Sequence, residues 1–220
     1  MEEYTEFRIF NLISDLSYRV RLLRISYVDT DQIENSKPLE RYAFLIKSET
    51  EMASRTGSDP LRISGVPRRS LDQDQAAAVF IFQYMIGNSD WSLVTGQDED
   101  TCCHNGDLFD IGDWIYYVPY DFDLAGLVNA RYAYPDPALP IRKVTQRIYR
   151  GLCLPQDTVR KAIRKINRLK TEILAVMHSS TGLSAHDIEA NVDFLTRFFD
   201  RAEDEDKFLR LINRQCLRPR

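Results

Sequence analysis

The stretch from Asp72 to Ile86, DQDQAAAVFIFQYMI, constrains this chain more than any other: it reads as a helix, rich in Ala and apolar on most of its faces. A helix with one apolar stripe can lie on a surface, but a helix apolar nearly all round has to be wrapped by other elements. The rest of the chain is therefore expected to pack around this segment. Gly87 marks its end, because glycine accepts the left-handed backbone that closes helices.

Enough chain is present to do the wrapping. With 220 residues, 44% apolar and 28% charged, the composition is that of one globular domain or a tight two-lobe unit, not of a fibrous or disordered protein. No run approaches the ~18 apolar residues that a membrane span needs. The opening MEEYTEFRIF has three acids and no apolar stretch of the secretory kind, so the setting expected for the chain as given is cytoplasmic. Four cysteines are too few for a disulfide scaffold, and Cys102, Cys103, Cys153 and Cys216 form no CxxC pair, so reduced thiols are the default expectation. Adjacent cysteines also make poor joint zinc ligands.

Around the central helix the pattern is mixed. Phe7, Phe10, Leu12, Ile13 and Leu16 recur at helical spacing over about Glu3 to Leu16. Leu22–Val28 and Arg41–Lys47 read as two antiparallel strands joined by a long polar loop, and 57–70 as a surface connection. Asp107–Ile111 and Trp114–Pro119 read as short strands about a Gly-Asp turn. After the Pro-punctuated segment Tyr134–Pro140, a helical pattern is expected to persist to the end. Val159, Ile163, Ile166, Ile173 and Met177 form one stripe, and Ser184-Ala185-His186-Asp187 opens the next helix as a capping box. The class is α+β.

The net charge of -4 hides two opposed regions. From Ser70 to Ala130 there are eleven acids and no Lys or Arg, whereas Ile141 to Lys170 carries ten Lys and Arg against the single acid Asp157. The basic residues fall mostly opposite the apolar stripe and lack interleaved aromatics, so a solvated helix face, a partner dock or pairing with the acidic strip is expected and nucleic acid is not.

The acidic region contains Ile86-Gly87-Asn88-Ser89-Asp90-Trp91, then His104-Asn105, then Val118-Pro119-Tyr120-Asp121-Phe122-Asp123. An isolated loop Asp is ordinarily a turn former or helix cap. In the order Asp, Asn, Asp, however, these groups supply hard oxygen ligands for Mg²⁺ or Mn²⁺, and a bound cation would turn a phosphate-repelling strip into a polyphosphate site.

These residues resemble the atypical protein-kinase-like fold of the CotH-like (spore-coat) kinases and, more distantly, the HipA-like kinases; the wording also looks like bacterial proteins of that group. The resemblance implies a partial small lobe over 1–56 with a hinge near 44–48, a connecting loop at 57–70, and a mostly helical large lobe over 71–220 whose acidic strip spans 87–126. By resemblance Asp90 is the catalytic aspartate and Asn105 and Asp121 hold the metal, with Asp123 a second candidate. Phe44, Ile46 and Lys47 lie along the adenine-side strand and hinge. Asn88 and His104 support the site, and Glu6, or else Glu2 or Glu3, is the helix carboxylate that would pair with a lysine. The implied reaction is transfer of a phosphoryl group from ATP to a hydroxyl of a protein or small molecule.

Two departures qualify this expectation. Asp90 and Asn105 are 15 residues apart, far more than in the familiar kinase loop, so WSLVTGQDEDTCC has to loop outward. The phosphate-covering strands and their lysine are also missing, since no Lys precedes Lys37. The chain therefore reads as the later part of a longer protein, with an extracytoplasmic setting if a leader lies upstream, or as a poor catalyst or non-catalytic binding module.

Overall fold

The computed structural model describes residues 1–31, 38–93 and 102–218. In chain order these form α1 (Glu2–Ile13), β1 (Val20–Tyr27), β2 (Leu39–Ile46), α2 (Glu49–Thr56), β3 (Asp59–Leu61), α3 (Gln73–Ile86), β4 (Gly106–Ile111), β5 (Trp114–Pro119), α4 (Gln156–Arg168), α5 (Lys170–His178), α6 (Ala185–Glu203) and α7 (Glu205–Gln215). The chain is a mixed α+β structure whose described residues hold seven helices and two small antiparallel sheets, β1-β2 and β3-β4-β5. None of the described helices is long and apolar enough to cross a membrane.

As its composition requires, α3 is central: every residue from Gln75 to Ile86 is buried. Phe82 meets Phe10 of α1 at 4.7 Å, Phe80 stacks on Trp91 at 5.3 Å, and Tyr84 lies against Phe198 of α6 and Phe208 of α7. Aromatic contacts thus reach α3 on several sides, and α4 packs along it as well. Its ends are set locally. The Asp72 carboxylate accepts the Gln75 N–H at 2.7 Å, and Gly87 closes the helix with φ 71. Replacing Asp72 with Ala is expected to cost about 1 kcal/mol, read as a lower urea midpoint at unchanged m-value.

The structure departs from or adds to the expectations in three places. The polar stretch after β2 contains α2, which buries only Met52 and Ala53 and so leaves no apolar stripe to read. Its signal was the Ser48 cap, whose hydroxyl accepts the Glu51 N–H, and Arg55 then docks it on the carbonyls of Asp15 and Ser17. The connection at 57–70 likewise contains β3, paired to β4.

Second, no helix forms between Pro119 and Gln156. Here the basic side chains pin irregular backbone: Arg147 donates to the carbonyls of Met85 and Phe194 while lying 3.8 Å from the Phe194 ring, and Arg150 donates to that of Ser89. Burial brings the Arg147 guanidinium down to about 10. The helical stripe also divides at Leu169 into α4 and α5, although Val159, Ile163, Ile166, Ile173 and Met177 are buried as expected.

Third, the cysteines are paired. Cys153 joins Cys216, 63 residues away, beside hydrogen bonds of Leu217 with Gly151 and Cys153, and Cys102 joins its neighbour Cys103. The spatial proximity of the first pair depends on how the chain folds back, which spacing along the sequence does not reveal.

Candidate functional site

The neighbours of the acids sort most of the acidic strip. Asp72 caps α3, and Gly112 and Asp113, with φ 55 and 74, form the left-handed pair of a two-residue hairpin turn between β4 and β5. Asp107 accepts the Tyr18 hydroxyl and lies 4.0 Å from Arg62. Those acids are explained by the fold. Asp98, Glu99 and Asp100 lie outside the described residues. Asp90, Asp121 and Asp123 converge instead on one small region.

Asp90 leaves the end of α3 on a tight turn in which the Asn88 side-chain oxygen accepts the Asp90 N–H at 2.8 Å. The long interval to Asn105 is pinched at its base: Ser92 and His104 exchange two backbone hydrogen bonds of 3.1 and 2.9 Å. That clasp brings Asn105 beside Asp90 whatever the length between them. Asn105 Nδ2 donates to the Asp90 carbonyl at 2.7 Å and to Oδ2 at 2.9 Å, while His104 Nε2 lies 3.1 Å from Oδ1. Both carboxylate oxygens of Asp90 are thereby oriented.

The floor beneath this pair is Tyr117. Its hydroxyl donates to the carbonyls of His104 and Asn105, at 3.3 and 3.2 Å. Gly106 permits the approach, since a Cβ there would lie 2.1 Å from the Tyr117 ring. From the end of β5, the Tyr120 N–H donates to the Asn105 carbonyl at 3.2 Å, so the next residue, Asp121, is delivered to the same place.

Asp121 has φ 56, uncommon for a residue other than glycine. Phe122 explains how that backbone is held. Its ring, 0% exposed, sits 4.7 Å from Phe7 of α1 and 5.4 Å from Phe82 of α3. With Phe122 sunk in the core, Asp121 and Asp123 flank it on the outer side. The Asp121 carboxyl is raised above its ordinary value by burial first and then by the nearby Asp123, with Asp90 adding to it. Glu3 of α1 is pushed up to about 7, chiefly by burial and next by Asp121. Tyr132 donates to Asp123 at 2.9 Å.

The structure thus brings Asp90, Asn105, Asp121 and Asp123 together, with Asn88 and His104 as their supports. Glu6 lies behind them, 0% exposed, and neither carboxylate oxygen has a partner among the described residues. Burial foremost, and Glu3 next, hold its carboxyl well above the ordinary range. The three adenine-side residues are placed differently. Phe44 packs into the core, 5.8 Å from Tyr4 and 5.9 Å from Phe7, Ile46 is half-exposed at the end of β2, and Lys47 pairs with Glu51 at 3.0 Å. A ring series Phe44, Phe7, Phe122 runs from Phe44 to the acidic turn. Sequence reasoning missed Tyr132, for which no motif signals, and gave Glu3 only as an alternative to Glu6.

Could this set hold a divalent cation? Among the described residues no three His, Cys, Asp or Glu side chains are close enough to chelate one unaided. Mg²⁺ or Mn²⁺ in phosphoryl-transfer sites needs fewer protein ligands, one or two oxygens completed by water and phosphate. Asn105 commits its Nδ2 to Asp90, which leaves its Oδ1 as the ligand atom, and the crowded Asp121 carboxyl is stabilised by any cation placed beside it. No family model, no curated protein and no solved structure matches this chain.

Proposed function

We propose that this chain is a kinase-like phosphotransferase of the CotH-like type, using ATP and Mg²⁺ or Mn²⁺ to phosphorylate a hydroxyl acceptor. The observation that carries the reading is the two-pronged hydrogen bond of Asn105 to Asp90 with Asp121 beside them. Asp90 would orient the acceptor hydroxyl and take its proton, and His104 would hold the Asp90 carboxylate in place. Asn105 Oδ1 and Asp121 would hold the cation, whose charge offsets that of the phosphates when it is bound. Asp123, beside Asp121, would assist.

A second reading, a non-catalytic relative that binds a partner, is favoured by Glu6. A helix carboxylate of this kind serves phosphoryl transfer by pairing with a phosphate-holding lysine. Glu6 has no such partner among the described residues.

Thermal shift separates the two. ATP with Mn²⁺ should raise the melting temperature, neither alone should, and saturation a hundredfold above Kd corresponds to about 2.7 kcal/mol. Asp121→Ala and Asn105→Ala should lose that shift. Asp90→Asn should keep it while phosphoryl transfer to a test acceptor falls roughly 10²- to 10⁴-fold. A melting temperature indifferent to ATP and metal sinks the enzyme reading, and a shift without any turnover in the wild type selects the second.

A further inference from the structure

Four of the ten cations of the basic region anticipated as a partner dock are taken up by the fold. Besides Arg147 and Arg150, Arg160 bonds Glu205 and Asp206, at 3.0 and 2.9 Å, and Arg164 bonds Glu205 at 2.9 Å. Those two pairs fasten α4 to the start of α7. Further cations without an ion pair among the described residues line a groove of about 810 Å³ along α6 and α7.

Arg201, Lys207, Arg210 and Arg214 line this groove, and none of them is within ion-pair distance of a carboxylate among the described residues. Lys207, Arg210 and Arg214 stand at i, i+3 and i+7, which puts them in a row along one face of α7, roughly 10 Å long at ~1.5 Å per residue. Leu211 lies in the same wall, half-buried, and supplies an apolar spot within the row. Arg201 is steadied from below by its hydrogen bond to the buried Tyr84 hydroxyl, 2.8 Å. Of the two acids in the wall, Asp204 already accepts the Lys207 N–H as the cap of α7, and Asp200 is the other.

We propose that this groove docks an acidic, helix-forming segment of a partner protein, with carboxylates spaced to face the cation row and an apolar side chain over Leu211. Charge complementarity selects an anion, since four cations outnumber two acids. The wall disfavours nucleic acid, because Asp200 and Asp204 interrupt the cations and the one aromatic, Phe208, is buried and offers no stacking face. A concave groove also suits a helix better than a flat lipid surface. The site is independent of the phosphotransfer reading, which it neither requires nor supports.

The test uses the full chain and a synthetic helical peptide carrying Glu at i, i+3 and i+7 and Leu at i+4, followed by fluorescence anisotropy. Binding should weaken at least tenfold when the three Glu are replaced by Gln, and again when 50 mM NaCl is raised to 300 mM. Arg210→Glu with Arg214→Glu should weaken it at least tenfold, with circular dichroism reporting that α7 stays folded. Lys161→Glu with Lys165→Glu, on the other face of α4, should leave it within twofold. Absence of peptide binding, indifference to the α7 charge reversals, or tighter binding of a DNA or RNA oligonucleotide at the same salt would each overturn the proposal.

Discussion

Phe122→Ala is expected to lower stability by about 3–5 kcal/mol, the range for deleting a buried aromatic ring from a packed core. The site argues for the upper part of that range. Phe122 touches rings from two helices, Phe7 of α1 and Phe82 of α3, and Phe82 in turn touches Phe10, so no single side chain can relax into the hole. Chemical denaturation should show the loss as a lower midpoint at unchanged m-value. Phe122→Leu, which keeps most of the volume, should cost less than ~1.5 kcal/mol. The functional consequence differs from that of an ordinary core residue. Phe122 is the anchor between Asp121 and Asp123, and Asp121 has a left-handed backbone that the surroundings must hold. Below its melting temperature, Phe122→Ala should therefore also lose the shift given by ATP with Mn²⁺. Folded Phe122→Ala protein that responds to ATP and Mn²⁺ as fully as the wild type would show that the acidic turn is held by something other than this ring.

The elements legible in the sequence were those whose residue types left a trace over the whole element. α3 announced itself because it is rich in Ala and apolar on most faces, and β1 with β2 because β-branched and aromatic runs of strand length flank a polar stretch. The register, from Val20 opposite Ile46 to Tyr27 opposite Leu39, follows once the two strands pair. α2 left no such trace because it is held by a cap and by Arg55 rather than by an apolar stripe. The segment before α4 was misread for the opposite reason. Its basic residues look like one face of a helix, but Arg147 and Arg150 spend their guanidinium groups on carbonyls of other elements.

The site follows the same logic. Asp90, Asn105 and Asp121 could be picked out by residue type and order, because each was the hydrogen-bonding or ligating kind in a strip without a single Lys or Arg. What brings them together could not. The clasp between Ser92 and His104 uses backbone atoms alone, and backbone pairing at the base of a loop carries no side-chain signature. The close seat of Tyr117 against Gly106 is likewise a contact between elements, visible in the sequence only as a glycine after His104-Asn105.

Glu6→Met should make the protein more stable, and increasingly so as the pH rises. Both carboxylate oxygens of Glu6 are buried without a partner among the described residues, a burden of about 1–3 kcal/mol even when the group is neutral. Methionine of similar length removes it. The pH dependence follows from the direction of the shift. A carboxyl raised in the folded state keeps its proton where the unfolded chain has lost it. The stability tied to that proton is complete below the ordinary Glu value of 4.5 and is lost as the pH climbs through the raised one. Glu3, raised to about 7 by burial and by Asp121, adds to the decline between 4.5 and 7. Urea unfolding at pH 5, 7 and 9 should therefore show the wild type weakening stepwise while Glu6→Met weakens less, with a gap approaching the ~3–5 kcal/mol of an uncompensated buried charge at the alkaline end. Glu3→Gln should remove the part of the slope below pH 7. A gap that stays constant with pH, or a wild type more stable than Glu6→Met, would mean that Glu6 finds a cationic partner in solution. If Glu6→Met is instead both more stable and less responsive to ATP with Mn²⁺, this carboxylate is a group the fold tolerates only because the site uses it.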